Sequence, residues 1–327
     1  MTKIAGILGT GSYVPEKILT NLDLEKMVNT SDEWITTRTG IKERRIADEN
    51  MPASDIAVCA ARRALETAGL KPTEIDLLVT ATVTGDYHFP STACIIQRKL
   101  GIKNIPACDI NAACSGFIYG LDIAQQYIVS GKYKNVLVIG TEKMSSVIDW
   151  SDRNVCVLLG DGAGAAVVGE TKAGRGIIGT EISSDGELAN LIMVPAGGSA
   201  KPATEDTVKN RLHYMKMEGK DVYKHAVLVM YRTCSEILKK YNFTTDDINW
   251  FVPHQANMRI IEAVADRLKL PLNRVYTNLQ RYGNMSAASI PVALDEAIKD
   301  GSIKKGDNVL LIAFGAGLTW GASILEI

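Results

Sequence analysis

Two stretches of the chain follow the same order of helix, turn and strand, at a spacing of about 170 residues that far exceeds the period of solenoid repeats. The stretch that begins at Ala60 (AARRALETAGLKPTEIDLLVTATV) has the pattern of the stretch that begins at Cys234 (CSEILKKYNFTTDDINWFVPHQA), and a second pair begins at Cys114 and at Asn284. We therefore expect two α/β halves related by internal duplication. The alternative is that any two α/β units look alike.

Strand and helix patterns alternate within each half. Apolar runs predict buried strands at residues 76–83, 135–140 and 308–313, and residues 54–68 have helical periodicity with a serine cap and Gly69 as the stop. This alternation predicts an α/β fold with sheets buried between helices. For 327 residues we expect halves at 1–174 and 175–327, divided near Gly174. The small and polar residues of 196–210 predict a mobile loop.

The composition excludes several classes of function. The chain has 36 basic and 37 acidic residues and only 6% aromatic residues, which argues against binding to nucleic acid. The N-terminal segment lacks the long apolar region of a signal peptide, and no run reaches the roughly 20 apolar residues of a membrane span. We therefore expect a cytoplasmic protein that does not bind membranes. The six cysteines have no CxxC spacing, so free thiols are expected rather than disulfides or zinc ligands.

Cys114 is the first candidate for chemistry. It lies in the run AACSGF, after an apolar segment at 105–110 and before an amphipathic helix expected to begin at Phe117. Small neighbours leave room for a ligand, and a helix N-terminus stabilises the thiolate, which is the reactive form of cysteine. The position predicts an activated nucleophile. A small buried core cysteine is the alternative.

His254 is the second candidate. It follows a predicted strand at 250–252 in the run PHQAN, and a helix is expected from Met258. The other histidines, His88, His213 and His225, lie in loop-like or polar stretches and are expected at the surface. His254 is therefore expected in the site, with a hydrogen-bonded structural histidine as the alternative.

Asn284 is the third candidate, at a strand-to-helix turn in the run YGNMSAAS. The internal alignment makes it the counterpart of Cys114 and places His254 near Ala81. A neutral imidazole N–H and a carboxamide NH₂ can both donate to one oxygen, which suits a thioester enolate or oxyanion. Cys114, His254 and Asn284 therefore form a candidate triad, although asparagine is also common in turns for local reasons.

Three glycine-rich runs are candidates for ligand loops. The run at Gly9 lacks Walker spacing, and the run at Gly160 precedes an apolar strand rather than a helix, so neither predicts a nucleotide site. The run at Gly315 follows a predicted strand and can present backbone N–H groups to an oxyanion. A tight turn in the core is the alternative for that run.

Several runs together resemble those of β-ketoacyl-acyl carrier protein synthase III, a family of the thiolase superfamily. They are SDEWITTRTGIKERR from Ser31, AACSGF, GDGAGAAVV at Gly160, PHQAN, YGNMSAAS and FGAGLTWG from Phe314, and they span nearly the whole chain. The resemblance implies a thiolase-like, duplicated five-layer α-β-α-β-α fold, a homodimer, and no metal or other cofactor.

The resemblance also implies a reaction. Cys114 would take an acyl group from acyl-coenzyme A, and the enolate formed when malonyl-acyl carrier protein loses CO₂ would attack the acyl-enzyme to give 3-oxoacyl-acyl carrier protein. His254 and Asn284 would bind the malonyl thioester oxygen. The backbone N–H groups of Cys114 and Ala316 would form the oxyanion hole, although the family often has glycine where Ala316 stands.

Further contacts are implied by the same resemblance. Coenzyme A would contact Trp34, Arg38, Arg153, Gly219, Tyr223 and Asn257, where Tyr223 replaces a frequent phenylalanine. Acyl carrier protein would contact Lys224, Gln255, Arg259 and Arg267, with Asp266 where a second basic residue can occur. Phe89 would close the acyl pocket across the dimer interface; a core aromatic before Pro90 is the alternative.

Three other functions are compatible with the sequence. A Cys–His–Asn hydrolase uses the same chain order as the triad, although the duplicated α/β pattern does not suit that class. A non-catalytic acyl-coenzyme A binder would not need the Cys114 thiol. A sister condensing enzyme would make a polyketide or another secondary metabolite.

Overall fold

The computed structural model describes residues 3–171 and 176–327, so the predicted boundary near Gly174 lies outside the described residues. Its strands are β1 Ile4–Tyr13, β2 Ile18–Thr20, β3 Glu43–Arg45, β4 Leu77–Ala81, β5 Ala107–Ile110, β6 Asn135–Glu142, β7 Gly162–Thr171, β8 Gly176–Ser184, β9 Ile192–Met193, β10 Lys216–Met217, β11 Trp250–Pro253, β12 Asn308–Gly315 and β13 Thr319–Glu326. Its helices are α1 Asn21–Glu25, α2 Asp32–Thr39, α3 Ala53–Ala68, α4 Thr92–Leu100, α5 Gly116–Val129, α6 Arg153–Cys156, α7 Glu205–Lys209, α8 Gly219–Lys240, α9 Met258–Leu268, α10 Leu279–Tyr282 and α11 Ser289–Lys299.

The two main sheets repeat one topology. The first has the order β1-β7-β6-β4-β5 and the second the order β8-β13-β12-β11. The first sheet has two parallel pairs, β5 with β4 and β4 with β6, and the second has one, β11 with β12. In both sheets the parallel pairing is followed by antiparallel pairs. Equivalent elements are separated by one constant offset, since β4 and β11 begin at positions 77 and 250, β6 and β12 at 135 and 308, and α5 and α11 at 116 and 289. The predicted internal duplication is therefore confirmed.

The elements stack in five layers. Helices α5 and α11 lie between the sheets, where Phe117 and Ile290 pack in one core with residues from both sheets. Helix α3 packs on the outer face of the first sheet, and α8 and α9 pack on the outer face of the second. Each sheet is thus buried on both faces, which explains why its central strands are continuous apolar runs. The predicted five-layer α-β-α-β-α fold is confirmed.

Two local predictions are wrong. Ser54 does not cap α3, because the helix begins at Ala53 after Pro52, and the Ser54 amide and hydroxyl both bind the Asp86 carboxylate. Gly69 ends α3 in the left-handed conformation as expected. The segment 196–210 is not simply a loop, because it contains α7, which Thr204 caps.

Three further features bear on function. Within the described ranges, no helix combines the length and apolar character needed to cross a bilayer. The same residues contain no group of three or more His, Cys, Asp or Glu side chains placed to hold a metal ion. The six cysteines are free thiols.

Candidate active site

Cys114 lies between β5 and α5, in a one-turn 3₁₀ helix at Ala113–Ser115. Ala113 has a positive φ of 44°, and this conformation turns the chain sharply after the strand. The backbone of Gly315 packs directly against the turn, since a Cβ at Gly315 would lie 2.6 Å from the Cys114 nitrogen. The end of the second sheet is therefore in contact with the cysteine of the first half.

His254 follows the last residue of β11, and its backbone N–H donates to the Ile312 carbonyl at 2.8 Å. The side chain is 4% exposed, and within the described residues its Nδ1 has no hydrogen-bond partner. Burial lowers the pKa of His254 to about 4, because the charged imidazolium is poorly solvated there. The ring is thus neutral at physiological pH and has one N–H donor.

Asn284 lies after α10, between Gly283 and a second one-turn 3₁₀ helix at Ser286–Ala288. Its backbone is held on both sides, since its N–H donates to Leu158 at 2.8 Å and its carbonyl accepts from Gly160 at 3.0 Å. Its Oδ1 accepts from the Ser286 N–H at 2.8 Å. The carboxamide orientation is fixed by this bond, which leaves its NH₂ group as the donor for a ligand.

The predicted equivalence of Cys114 and Asn284 is wrong. At the constant offset between the halves, Cys114 corresponds to Ala287, the middle residue of the second 3₁₀ turn, and Asn284 corresponds to Asn111. The offset follows from the equivalent strands and helices. The sequence alignment instead matched the Cys114 and Asn284 motifs to each other, because both are runs of small residues at a strand-to-helix turn. The expected match of His254 with Ala81 is confirmed by the same offset.

The three candidate residues line one cavity of about 670 Å³. The cavity is also lined by further predicted residues: Trp34, Arg38, Gly219, Tyr223, Asn257 and Arg259. Cys114 is therefore not sealed in the core, and the alternative of a buried core cysteine fails. A sulfur, an imidazole and a carboxamide from distant parts of the chain face a common space large enough for a thioester.

The electrostatics of Cys114 differ from the expectation. Burial raises the pKa of the Cys114 thiol to about 12, a hydrogen bond with Ser286 lowers it, and the charge of Glu142 raises it. Cys114 is partly open to the cavity, but protein surrounds that cavity, so solvation of the thiolate is weak. The helix N-terminus alone does not activate this cysteine, and an acceptor for its proton is needed.

Trp34 lines the cavity and lies close to two arginine side chains. The guanidinium carbons of Arg38 and Arg153 are each 4.9 Å from the centre of its ring. Arg153 itself does not line the cavity, and its Nη1 donates to the Asn29 carbonyl at 2.7 Å. The cluster of one indole and two cations suits a purine with attached phosphates.

The residues expected around the pantetheine arm differ in how free they are to contact a ligand. A Cβ at Gly219 would meet only the Met217 methyl group, at 3.8 Å, so the chain is open there. Asn257 caps α9 through Oδ1 and donates to the Arg38 carbonyl at 3.1 Å, so its side chain is largely committed to the fold. Tyr223 is 37% exposed, and the Arg259 guanidinium lies 5.9 Å from its ring centre.

The Gln255 side chain does not lie at the surface where a contact with acyl carrier protein was predicted. Its side chain is fully buried, and it donates to the carbonyls of Pro253 and Tyr276 and accepts from the N–H groups of Asn278 and Leu279. The residues that follow it, from position 256 to 259, are at least partly exposed, so the run looks like surface although the amide is buried.

The three basic residues predicted to contact the carrier lie at the surface. Lys224, Arg259 and Arg267 are all exposed, and Asp266 lies beside the last of these. Arg259 also lines the cavity, which places one of the three at its edge.

Phe89 is 86% exposed and does not line the cavity of its own chain. The neighbouring Tyr87 is 68% exposed, and the peptide bond from Phe89 to Pro90 is cis. The alternative of a core aromatic is therefore wrong. An exposed pair of aromatic rings at a loop tip suits contact with a partner.

Two polar residues were missed by the sequence analysis. Glu142, the last residue of β6, is fully buried, and it accepts a 2.9 Å hydrogen bond from the Ser286 hydroxyl. Its position after an apolar run was the available signal, because a strand buried on both faces rarely ends in a fully buried carboxyl. Ser286 was inconspicuous within a run of small residues.

Two family descriptions match the chain. One, "3-Oxoacyl-[acyl-carrier-protein (ACP)] synthase III", matches residues 108–186, and its "C terminal" companion matches residues 238–327. A curated relative from Caldanaerobacter subterraneus named "Beta-ketoacyl-[acyl-carrier-protein] synthase III" is 59% identical over 98% of this chain and 97% of its own length. A relative of the same name from Clostridioides difficile is 54% identical over 100% and 99%.

Solved structures show the same likeness. A crystal structure of 3-oxoacyl-[acyl-carrier-protein] synthase III from Aquifex aeolicus has a TM-score of 0.92 at 50% identity, covering 99% of this chain and 100% of that chain. The priming β-ketosynthase of the R1128 polyketide pathway has a TM-score of 0.92 at 37% identity, covering 99% and 97%.

Proposed function

The chain belongs to the β-ketoacyl-[acyl-carrier-protein] synthase III family, the initiating condensing enzymes of fatty-acid synthesis, and we propose that its acyl transfer proceeds through Cys114, His254 and Asn284. The observation that carries this proposal is that these three side chains line one cavity. A sulfur nucleophile and two neutral donors around a common space are the groups that a thioester condensation requires.

The first half-reaction is acylation of Cys114. Its sulfur attacks the carbonyl carbon of an acyl-coenzyme A, and the coenzyme A thiol leaves, so that a covalent intermediate divides the transfer into two steps. The oxyanion formed on the way accepts hydrogen bonds from the backbone N–H groups of Cys114 and Ala316. The close approach of Gly315 to the Cys114 nitrogen, and the bond from the Thr319 hydroxyl to the Ala316 carbonyl, support this placement.

The second half-reaction is decarboxylative condensation. Malonyl-acyl carrier protein loses CO₂, and its enolate carbon attacks the acyl group on Cys114, which expels the Cys114 thiolate and forms 3-oxoacyl-acyl carrier protein; the thiolate takes up a proton from solvent before the next turnover. The neutral His254 ring and the NH₂ group of Asn284 donate to the enolate oxygen as negative charge develops. Both donors are held by their backbones before the substrate arrives, which lowers the cost of reorganisation.

Acyl-coenzyme A is proposed to enter along the cavity. Trp34, Arg38 and Arg153 hold the adenine and phosphates, and Gly219 and Tyr223 border the pantetheine arm. The two guanidinium groups on Trp34 and the open space beside Gly219 support this path.

Asn257 has a more limited part in this path. It lines the cavity, but its side chain caps α9 and donates to the Arg38 carbonyl. We therefore assign it to the wall of the pantetheine channel rather than to a direct hydrogen bond with coenzyme A.

Acyl carrier protein is proposed to dock at Lys224, Arg259 and Arg267. All three are exposed, and Arg259 also lines the cavity, so this basic surface lies at the point where the phosphopantetheine arm of a carrier would enter. Gln255 is not part of the surface.

A homodimer of two-half subunits is proposed as the working form. The exposed Phe89 and Tyr87 support it, with Phe89 reaching the acyl pocket of the second copy. The repeated sheet order supports two halves, which we place at residues 1–174 and 175–327. Free cysteines suit a cytoplasmic location.

A second candidate function is the priming of a polyketide. The likeness to the R1128 priming β-ketosynthase favours it. The two functions differ in the extender thioester, and a preference for malonyl-coenzyme A over malonyl-acyl carrier protein would favour the polyketide reaction.

The test is intact-mass analysis after incubation with a panel of acyl-coenzyme A thioesters, followed by measurement of CO₂ released from malonyl-acyl carrier protein. We expect a single acyl adduct on Cys114, lost in Cys114→Ser, because a hydroxyl of far higher pKa is a poor nucleophile here. A Cys114→Ser protein that still forms the adduct would refute the proposal.

A further inference from the structure

Glu142 is a buried carboxyl directly behind the Cys114 turn, and the reaction described above gives it no part. It is 0% exposed, and its oxygens accept hydrogen bonds from Thr82, Val83, Thr84 and Ser286. A carboxyl is expensive to bury, even when its oxygens are fully hydrogen-bonded. Its position beside the nucleophile therefore calls for a functional reason.

We propose that Glu142, acting through the Ser286 hydroxyl, accepts the proton of the Cys114 thiol when Cys114 is acylated. The inference rests on the proposed function of Cys114 as the nucleophile. Glu142 is a positioning and proton-holding residue, because it acts on Cys114 through Ser286 and does not touch the substrate.

The geometry forms a chain of three side chains. Ser286 Oγ donates to Glu142 Oε1 at 2.9 Å, and the turn that carries Ser286 packs against the turn that carries Cys114, where hydrogen bonding to Ser286 lowers the pKa of the thiol. A hydroxyl can donate one hydrogen bond and accept others, so Ser286 can receive a proton from sulfur while it passes its own to the carboxylate. The bond of the Asn284 Oδ1 to the Ser286 N–H keeps this hydroxyl in place.

The proton transfer balances. The Cys114 S–H bond breaks and an O–H bond forms on Ser286, while the original Ser286 O–H bond breaks and an O–H bond forms on Glu142. The thiolate then attacks the acyl carbon, and the proton returns along the same hydroxyl to the departing coenzyme A thiolate. The carboxylate is restored for the next turnover.

The charge balance favours Glu142 over His254 as the acceptor. Transfer to a carboxylate only moves one negative charge from oxygen to sulfur, whereas transfer to His254 would create two new charges, an imidazolium and a thiolate, in a poorly solvated cavity. Burial raises the pKa of Glu142 to about 7, against the hydrogen bonds that lower it, and burial lowers the pKa of His254 to about 4. A base with a pKa near the working pH is the better acceptor.

The charged groups next to Glu142 along the chain and beside the neighbouring strands are hydrogen-bonded to other groups. Lys143, next on the chain, directs its ammonium group to backbone carbonyls of the loop at 48–49. Asp161, just before β7, accepts from Ser145 and Ala47, and Asp86, in the loop after β4, accepts from Ser54. Cys114 is thus the titratable group that couples to Glu142 from the α5 side.

The test measures the rate at which iodoacetamide alkylates Cys114 as a function of pH, read by mass spectrometry of the peptide that carries Cys114. This reaction needs no substrate. The wild-type rate is expected to rise with a midpoint near pH 7 and then to level off. Ser286→Ala is expected to lose the plateau and to alkylate on the order of 10²-fold more slowly at pH 7.

Ser145→Ala is the matched control, because Ser145 donates to the buried Asp161 carboxyl as Ser286 donates to Glu142. It is expected to keep the wild-type profile. Glu142→Gln is the second variant should Ser286→Ala not fold, and it is also expected to lose the plateau.

Three results would overturn the proposal. The first is a wild-type alkylation profile with no inflection between about pH 6 and 8. The second is a folded Ser286→Ala or Glu142→Gln protein that keeps the wild-type profile. The third is a loss of the plateau in Ser145→Ala equal to that in Ser286→Ala. Failure of the proposed function is a separate result. It would appear as a wild-type protein that forms no acyl adduct, whatever its alkylation profile.

Discussion

Glu142 and Gly315 occupy the same position in the two halves, as the last residues of the equivalent strands β6 and β12. Both positions lie against the Cys114 turn. The first half supplies a buried carboxyl there. The second half supplies a glycine without a side chain, where an added Cβ would lie 2.6 Å from the Cys114 nitrogen. The duplicated fold thus becomes asymmetric at the point where the chemistry requires different groups.

Gly315→Ala is expected to reduce acylation of Cys114 by roughly 10²-fold, because the added methyl group displaces the sulfur by a fraction of an ångström to an ångström. The rate of acyl adduct formation, measured by intact mass, checks this. Gly186→Ala is the control, since a Cβ there would meet nothing within 4 Å. Wild-type acylation by Gly315→Ala would mean that the contact is relieved elsewhere.

His254→Ala and Asn284→Ala are expected to separate the half-reactions. Each removes a donor to the malonyl enolate, so CO₂ release should fall by on the order of 10²-fold or more, while Cys114 acylation is largely kept. Measuring CO₂ release from pre-acylated protein and adduct formation in parallel checks the division. An equal loss of both half-reactions would contradict it.

The shared cavity of Cys114, His254 and Asn284 was predictable, because each residue lies in a motif of small or polar residues that interrupts a clear pattern of apolar strands and helices. Gln255 was misread because its buried partners, Tyr276 to Leu279, are distant in the chain and the local run looks like a surface turn. The Glu142–Ser286 pair spans 144 residues, and only the stacking of two turns brings it together. Contacts of this kind depend on layer packing, for which the sequence pattern has no local signal.

Glu142→Gln is expected to change the pH dependence of stability. The folded carboxyl has a pKa of about 7 against an ordinary 4.5, so the folded protein binds more protons between these values. The contribution of Glu142 to the free energy of unfolding is fully present below pH 4.5 and is lost as pH rises through 7. This loss is at most on the order of 3 kcal/mol.

The measurement is the melting temperature of both proteins from pH 4.5 to 8. The melting temperature of the variant should rise relative to that of the wild type as pH increases across this window, since the amide of the variant does not ionise. His254 gives the opposite slope, because its folded pKa of about 4 lies below its ordinary 6.5, but it is common to both proteins and cancels in the difference. A difference that does not vary with pH would contradict the raised pKa.

Trp34→Ala is expected to raise KM for acyl-coenzyme A by roughly 10-fold and to leave kcat nearly unchanged, because a lost stack weakens ground-state and transition-state binding alike. The control is the substrate: an acyl-pantetheine thioester lacks the nucleotide, so wild type and variant should use it equally. If the variant loses as much with acyl-pantetheine, Trp34 acts on the cavity shape rather than on adenine.

Arg259→Glu is expected to raise KM for malonyl-acyl carrier protein, because it reverses charge on the exposed surface where the carrier is proposed to dock. The increase should shrink at high salt, since exposed charges are screened within about 10 Å at 0.1 M ionic strength. Lys305→Glu, an equal reversal on an exposed residue of the loop before β12, is the control and should leave KM unchanged.

Arg259 also borders the cavity, so acyl-coenzyme A must be assayed beside the carrier. A rise in KM for both substrates would place Arg259 on the shared pantetheine path, and a rise for the carrier alone supports the docking surface.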